Sequence, residues 1–227
     1  MSMPRPLHAQ ATIYIPIPSS RNDTNSTTTT NVTITSLSGF PRHAYRVDVT
    51  TTNATDADNA VRVLVPRQQH HRLVKVTKQA VAHHCQVAVN GGPFHADGTS
   101  VGVLVVNGKV VQSQSDAAQL VGFGRMVMQP RMVPPILEYN NSSGVDGGST
   151  TTNTSLAYWI FGAPPQNLTD GVQFYVTGFG WLVRNGQNVA TPDDDDNGGA
   201  LRAPRTAVGV NADGHLVFVV ADGCEKW

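Results

Sequence analysis

Three short stretches carry residue types that do chemistry in combination. The first is Val89-Asn90-Gly91-Gly92-Pro93-Phe94, at the end of an apolar run. Successive glycines let a backbone turn sharply and approach a ligand closely. Their amides can form an anion-binding concavity, and Asn90 adds a side-chain donor and acceptor. The second is Pro204-Arg205-Thr206-Ala207-Val208-Gly209-Val210. A guanidinium at the head of an apolar strand matches phosphate oxygens in geometry and stays charged, and Thr206 offers a hydroxyl. The third is Val219-Val220-Ala221-Asp222-Gly223, a carboxylate just past an apolar run with a glycine leaving room beside it. Taken singly, each has a plainer reading: the first and third as strand-ending turns, the second as a surface arginine.

Other combinations are excluded. His70-His71 and His83-His84 are adjacent pairs, and neighbours on a helix point about 100° apart, so they lack the i,i+4 geometry of a zinc pair. Asp193–Asp196 lacks the alternation and closing glutamate of a calcium loop and reads as a solvated acidic segment. Gly122-Phe123-Gly124 is too short for a nucleotide loop, and no Gly-x-Ser-x-Gly elbow is present. No metal and no cofactor is expected.

The elements that must position the three stretches are mostly strands. Tyr45–Val49, Val61–Val65 and Gln86–Val89 alternate or run apolar over strand lengths. Val103–Val106 and Lys109–Val111 flank Asn107-Gly108, the pair that suits a type I′ hairpin turn. Trp181–Val183 and Gln187–Ala190 flank Asn185-Gly186 in the same way, and Thr206–Val210 and His215–Val220 flank Asp213-Gly214. One helix is predicted, Leu73–His84, with Leu73, Val76, Ala80 and Val81 inward and Lys75, Lys78 and Gln79 outward. Trp159, Trp181, Phe174 and Tyr175 read as core rather than as a sugar platform. The fold class is α+β: a mostly antiparallel or mixed β-sheet with few helices.

Residues 1–38 are rich in Thr, Asn, Ser and Pro and, apart from a short strand-like run at Val32-Thr33-Ile34, read as a disordered tail, leaving 39–227 as the domain. The 227 residues suffice for that one domain. With 40% hydrophobic and 14% charged residues, a real core is expected. Sixteen basic residues balance sixteen acidic ones, so neither nucleic acid nor an anionic membrane is the expected partner. Phosphate binding would come from a local site. No stretch approaches the roughly 20 apolar residues of a membrane span. Asn-x-Ser/Thr sequons at Asn22, Asn25, Asn31, Asn53, Asn140, Asn141, Asn153 and Asn167 point to a secreted glycoprotein, although no signal peptide is visible at the N-terminus. Cys85 and Cys224 could pair or stay free; their spacing does not decide.

In order along the chain, these stretches resemble the phosphodiester glycosidases, enzymes that remove N-acetylglucosamine from a sugar phosphate. Cys85-Gln86-Val87-Ala88-Val89-Asn90-Gly91-Gly92-Pro93-Phe94 is similar to that family's Cys-x-x-Ala-x-Asn-Gly-Gly-Phe-Phe, with Pro93 in place of the first Phe. Gly180-Trp181-Leu182-Val183-Arg184-Asn185-Gly186 is similar to its Trp-Leu-Ile-Arg-Asn-Gly strand, and Arg205-Thr206-Ala207-Val208-Gly209 to its Arg-Thr-Ala-Ile-Gly. Asp213-Gly214-His215-Leu216, leading to Ala221-Asp222-Gly223, is similar to a closing strand pair. The resemblance spans about Pro41 to Gly223.

It implies a glycosidase acting on N-acetylglucosamine-α-1-phospho-mannose, borne on glycoproteins in the secretory pathway, and exposing mannose 6-phosphate. Asp222, Arg205 and Asn90 are the expected catalytic residues, converging on one cavity. Gly91, Gly92, Thr206 and Asn185 are the expected substrate-binding residues. Family members continue through a helix into an Asn-Leu-Asp-Gly-Gly-Gly-Ser segment, whereas this sequence ends at Cys224-Glu225-Lys226-Trp227. The resemblance therefore implies a domain incomplete at its C-terminus. The alternative is a non-catalytic glycan- or phosphoglycan-binding module, or an inactive fragment, of the same fold.

Overall fold

The computed structural model describes residues 11–16, 30–39, 43–51, 61–65, 74–95, 99–113, 120–128, 156–190 and 205–221. Fourteen strands and one helix lie among them, in the order β1 (Thr12–Pro16), β2 (Thr30–Leu37), β3 (Ala44–Thr51), β4 (Arg62–Leu64), α1 (Val76–Ala82), β5 (Cys85–Asn90), β6 (Leu104–Val106), β7 (Lys109–Gln112), β8 (Gly122–Met128), β9 (Leu156–Gly162), β10 (Val172–Thr177), β11 (Val183–Arg184), β12 (Gln187–Asn188), β13 (Arg205–Val210) and β14 (Leu216–Ala221). The strands build a three-stranded sheet β4-β1-β5, a five-stranded sheet β7-β6-β10-β8-β9, a four-stranded sheet β13-β14-β3-β2 and the hairpin β11-β12. Every pairing among the described residues is antiparallel.

Strand alternation sends one side of each of the three larger sheets into a shared core. Ile13, Ile15, Val63 and Val89 come from the first, Leu104, Phe123, Phe174 and Val176 from the second, and Val47, Val49, Leu216 and Phe218 from the third. Phe123 is the hub: its ring lies 5.3 Å from Trp159, 5.4 Å from Phe161 and Phe174, and 6.4 Å from Phe218. The opposite face of the five-stranded sheet buries Val103, Val105, Val172 and Tyr175 in a second cluster. The centre of that sheet is thus covered on both faces, which explains why Val172–Thr177 contains five buried residues out of six.

The hairpin readings hold. Asn107 and Gly108 have φ of 50° and 71°, and Asn185 and Gly186 have 52° and 76°. These left-handed pairs are what a two-residue I′ turn demands. Between β13 and β14 the turn is organised by Asn211, whose Oδ1 accepts from the amides of Asp213 at 3.0 Å and His215 at 2.8 Å.

Two expectations need correction. The segment 1–38 is not a tail throughout. β1 is the central strand of its sheet, with Ile15 fully buried, and β2 pairs residue for residue with β3. The Ile-x-Ile alternation of β1 buries both isoleucines. The Thr-rich composition of β2 suits an edge strand, where β-branched polar residues pair well and stay wet on the open side. The helix is also shorter and turned differently from the prediction. Gln79, placed outside by the pattern, is 5% exposed, while Val81, placed inside, is 78% exposed. The Gln79 Nε2 donates to the carbonyl of Val74 at 3.1 Å, while its Oε1 is buried without a hydrogen-bond partner.

Candidate active site

β5 ends in Asn90, and the chain then bends through Gly91 and Gly92. Both glycines are required by packing. A Cβ on Gly91 would meet the Ala11 side chain at 2.8 Å and its carbonyl oxygen at 2.9 Å, and one on Gly92 would meet the Thr177 carbonyl oxygen at 2.0 Å. The bend is therefore clamped between the start of β1 and the end of β10. Thr177 is itself held: its amide and its Oγ1 both donate to the Val103 carbonyl, at 3.2 and 2.8 Å.

Across the bend stands the four-stranded sheet. Thr206 Oγ1 donates to Asn90 Oδ1 at 2.6 Å, joining residues 116 apart in sequence. Asn90, Gly92 and Thr206 thereby mark the point where all three large sheets meet. Asn90 Nδ2 is only 3.4 Å from the Gly91 carbonyl, a long bond that leaves this amide group available to a ligand. Asn90 is exposed and Thr206 half-buried, so water and solutes reach the pair.

The Gly91 amide behaves differently from the sequence-based expectation. Gly91 donates its N–H to the Ala11 carbonyl at 2.8 Å, so this amide is engaged in structure. The glycines contribute close approach between strands, and what they expose is Asn90.

Arg205 and Thr206 are adjacent, and the pleat starts their side chains on opposite faces of β13. Thr206 shares its face with Val208, which packs on the core, and so reaches β5; Arg205 leaves from the other face, opposite Ala221 in the register. Asn185 sits at the tip of the β11-β12 hairpin, exposed, and makes no hydrogen bond to Asn90. Asp222 lies outside the described residues. The structure thus brings together Asn90, Gly91, Gly92 and Thr206; it sets Arg205 beside them on the strand's far face and Asn185 on a separate hairpin.

Sequence reasoning missed Ala11 and Thr177, which fix the bend. Ala11 lay in a segment read as tail. Thr177 ends an apolar run, and nothing in a Thr-Gly pair announces contact with a residue 85 positions away. Cys85, at the head of β5, carries a free thiol. Burial pushes its pKa upward, which disfavours the thiolate. No group of three or more His, Cys, Asp or Glu residues gathers among the described residues. No described helix is long and apolar enough to cross a membrane.

A strand-end Asn fixed by a Thr from a second sheet, beside an Arg at that strand's head, is a polar site held by backbone strands rather than by mobile loops. The phosphodiester glycosidase family matches residues 83–226, more than half of the chain and all of these positions, and the chain belongs to that family. Among solved structures, it is similar to the zebrafish N-acetylglucosamine-1-phosphodiester α-N-acetylglucosaminidase catalytic domain auto-inhibited by its pro-peptide. Identity is 18%, the TM-score is 0.47, and the match covers 94% of this chain and 66% of that chain. At that distance the likeness carries nothing about activity. No curated protein matches the chain by sequence.

Proposed function

We propose that the chain hydrolyses a sugar phosphodiester, with N-acetylglucosamine-α-1-phospho-mannose as substrate, releasing N-acetylglucosamine and exposing mannose 6-phosphate. Family membership supports a glycosidase of this general kind. The observation that carries the reading further is the Thr206–Asn90 hydrogen bond, which joins two of the family-like motifs into one solvent-reached site. The sugar-phosphodiester would be presented on glycoproteins of the secretory pathway.

The chemistry asks little of a general acid. The leaving group is a phosphate monoester with a second pKa of about 6, so it departs without prior protonation. What remains is to hold the diester anion, to stabilise positive charge developing at the anomeric carbon, and to direct the attacking group. In this reading Asn90, oriented by Thr206, donates from Nδ2 to the substrate. Arg205 rounds the head of β13 to grip the phosphate. Asp222 supplies the carboxylate for sugar binding or attack, and Asn185 binds substrate from the neighbouring hairpin. Gly91 and Gly92 act by letting the bend seat against Ala11 and Thr177.

The test is release of N-acetylglucosamine from the synthetic phosphodiester by the purified chain. Release that falls at least about tenfold in Asn90→Ala, worth about 1.4 kcal/mol of barrier, supports the reading. Binding of the diester without release makes the protein a phosphoglycan-binding module. Unchanged kinetics in Arg205→Ala removes that residue from the scheme.

A further inference from the structure

Two sequons fall among the described residues, and the structure treats them differently. Asn31-Val32-Thr33 is extended within β2, with Asn31 opposite Thr50 of β3. In a strand, residues i and i+2 stand about 7 Å apart, so the Asn31 carboxamide and Thr33 hydroxyl are held away from each other. Asn167-Leu168-Thr169 lies in the loop between β9 and β10. Here Asn167 Oδ1 accepts from both the amide and the hydroxyl of Thr169, at 3.1 and 2.7 Å. Asn167 Nδ2 donates to the Asp170 carboxylate. The turn closes with the Gly171 amide on the Thr169 carbonyl at 3.2 Å. Leu168 packs against the second apolar cluster, while Asn167 and Thr169 are exposed on either side of it.

We propose that Asn167 is an N-glycosylation site of this protein and is occupied more fully than Asn31. The sequon supplies the required residue types. The turn adds a geometry in which the acceptor amide is already poised. All of its bonds span two or three residues, so it forms locally without the sheets and is available while the chain is still entering the lumen. In the folded protein the anchored Leu168 keeps Nδ2 on the surface, where a bulky oligosaccharide displaces no core residue. One Nδ2 hydrogen is replaced on glycosylation, and the other is free to keep the Asp170 bond.

The co-reactant is a polyprenyl-diphosphate-linked oligosaccharide, used by the host transferase. Nδ2 attacks C1 of the reducing-end sugar, and the new N–C1 bond forms as the C1–O bond to phosphate breaks. The polyprenyl diphosphate leaves with that electron pair, and a base of the transferase takes one Nδ2 proton.

The experiment is to express the full chain behind a cleavable secretory leader in eukaryotic cells and to quantify glycopeptides from total lysate, so that occupancy is read whether or not the chain is exported. The expected result is modification of Asn167 in the majority of copies, with Asn31 modified less. Thr169→Ser should retain the glycan at Asn167 and Thr169→Ala should lose it. An unmodified Asn167 peptide, or occupancy at Asn31 equal to or above that at Asn167, overturns the proposal. Neither outcome depends on the chain's hydrolytic activity.

Discussion

Replacing Gly92 with alanine tests the three-sheet junction directly. The added methyl carbon would sit 2.0 Å from the Thr177 carbonyl oxygen, where ordinary contact begins at 3.4 Å, an overlap of about 1.4 Å. The obstacle is backbone, so no side chain can rotate out of the way. Nor can Thr177 withdraw freely, because its amide and hydroxyl are both bonded to the Val103 carbonyl. Relief requires either breaking those bonds, at about 1 kcal/mol each, or moving the bend away from β10. Overpacking ordinarily costs about 1–3 kcal/mol, and a backbone clash of this depth belongs at or above the upper end, about 3 kcal/mol. That is a large part of the 5–15 kcal/mol typical of a domain. The assay is urea unfolding of Gly92→Ala beside Gly209→Ala, whose added Cβ meets nothing within 4 Å and whose φ is not left-handed. The control should stay within about 0.5 kcal/mol of the parent. If Gly92→Ala unfolds at the same urea concentration as the control, the bend does not rest on β10 and the account of how Asn90 is positioned fails.

Thr206→Val keeps the shape of β13 and removes the hydroxyl bonded to Asn90. Because Asn90 is exposed, water can replace the bond, so stability should change by less than about 1 kcal/mol while N-acetylglucosamine release falls about tenfold. Thr206→Ser should restore most of the rate, and equal rates for Thr206→Val and the parent would detach this residue from the site. Asn211→Ala removes the oxygen that accepts two turn amides and should cost about 1–2 kcal/mol, read as a lowered urea midpoint; no change would mean that the β13–β14 turn forms without it. Tyr175, whose hydroxyl donates to the Gly162 carbonyl at 2.6 Å, has its pKa pushed upward by burial. The folded state then holds the phenolic proton more tightly than the unfolded chain. The stability this contributes is complete below about pH 10 and declines as pH rises toward the higher folded value. Tyr175→Phe should cost about 1–3 kcal/mol at neutral pH and flatten the decline above pH 10, leaving that of the Cys85 thiol, also pushed upward, at lower pH. A parent and a variant with parallel alkaline profiles would refute this.

Much of the fold was legible because it is local. Strand alternation and Asn-Gly turns depend on neighbours in sequence, and they located β3 to β7, both I′ hairpins and the β13–β14 pair to within a residue or two, whereas β8 to β10 were not picked out. The misreadings share a cause. β1, and β2 beyond its Val32-Thr33-Ile34 run, were judged by the Thr- and Pro-rich company they keep, yet their fate was set by partners, β5 and β4 for one and β3 for the other, that lie elsewhere in the chain. Gln79 was placed outside on polarity, yet the packing of α1 buries it, with its Nε2 on the Val74 carbonyl.

For the site, the sequence by itself determined the reactive groups: an Asn before two glycines, an Arg-Thr at the head of an apolar strand, and an order of motifs that marks the family. Only the tertiary structure decided which of them meet. A strand's pleat separates Arg205 from Thr206 by face although they are neighbours, and hydrogen bonding between sheets joins Thr206 to Asn90 although they are far apart. The glycines show the same division. Sequence demands a bend at Gly91-Gly92, but whether their bare backbone faces a ligand or another strand depends on what packs there, and here it is Ala11 and Thr177.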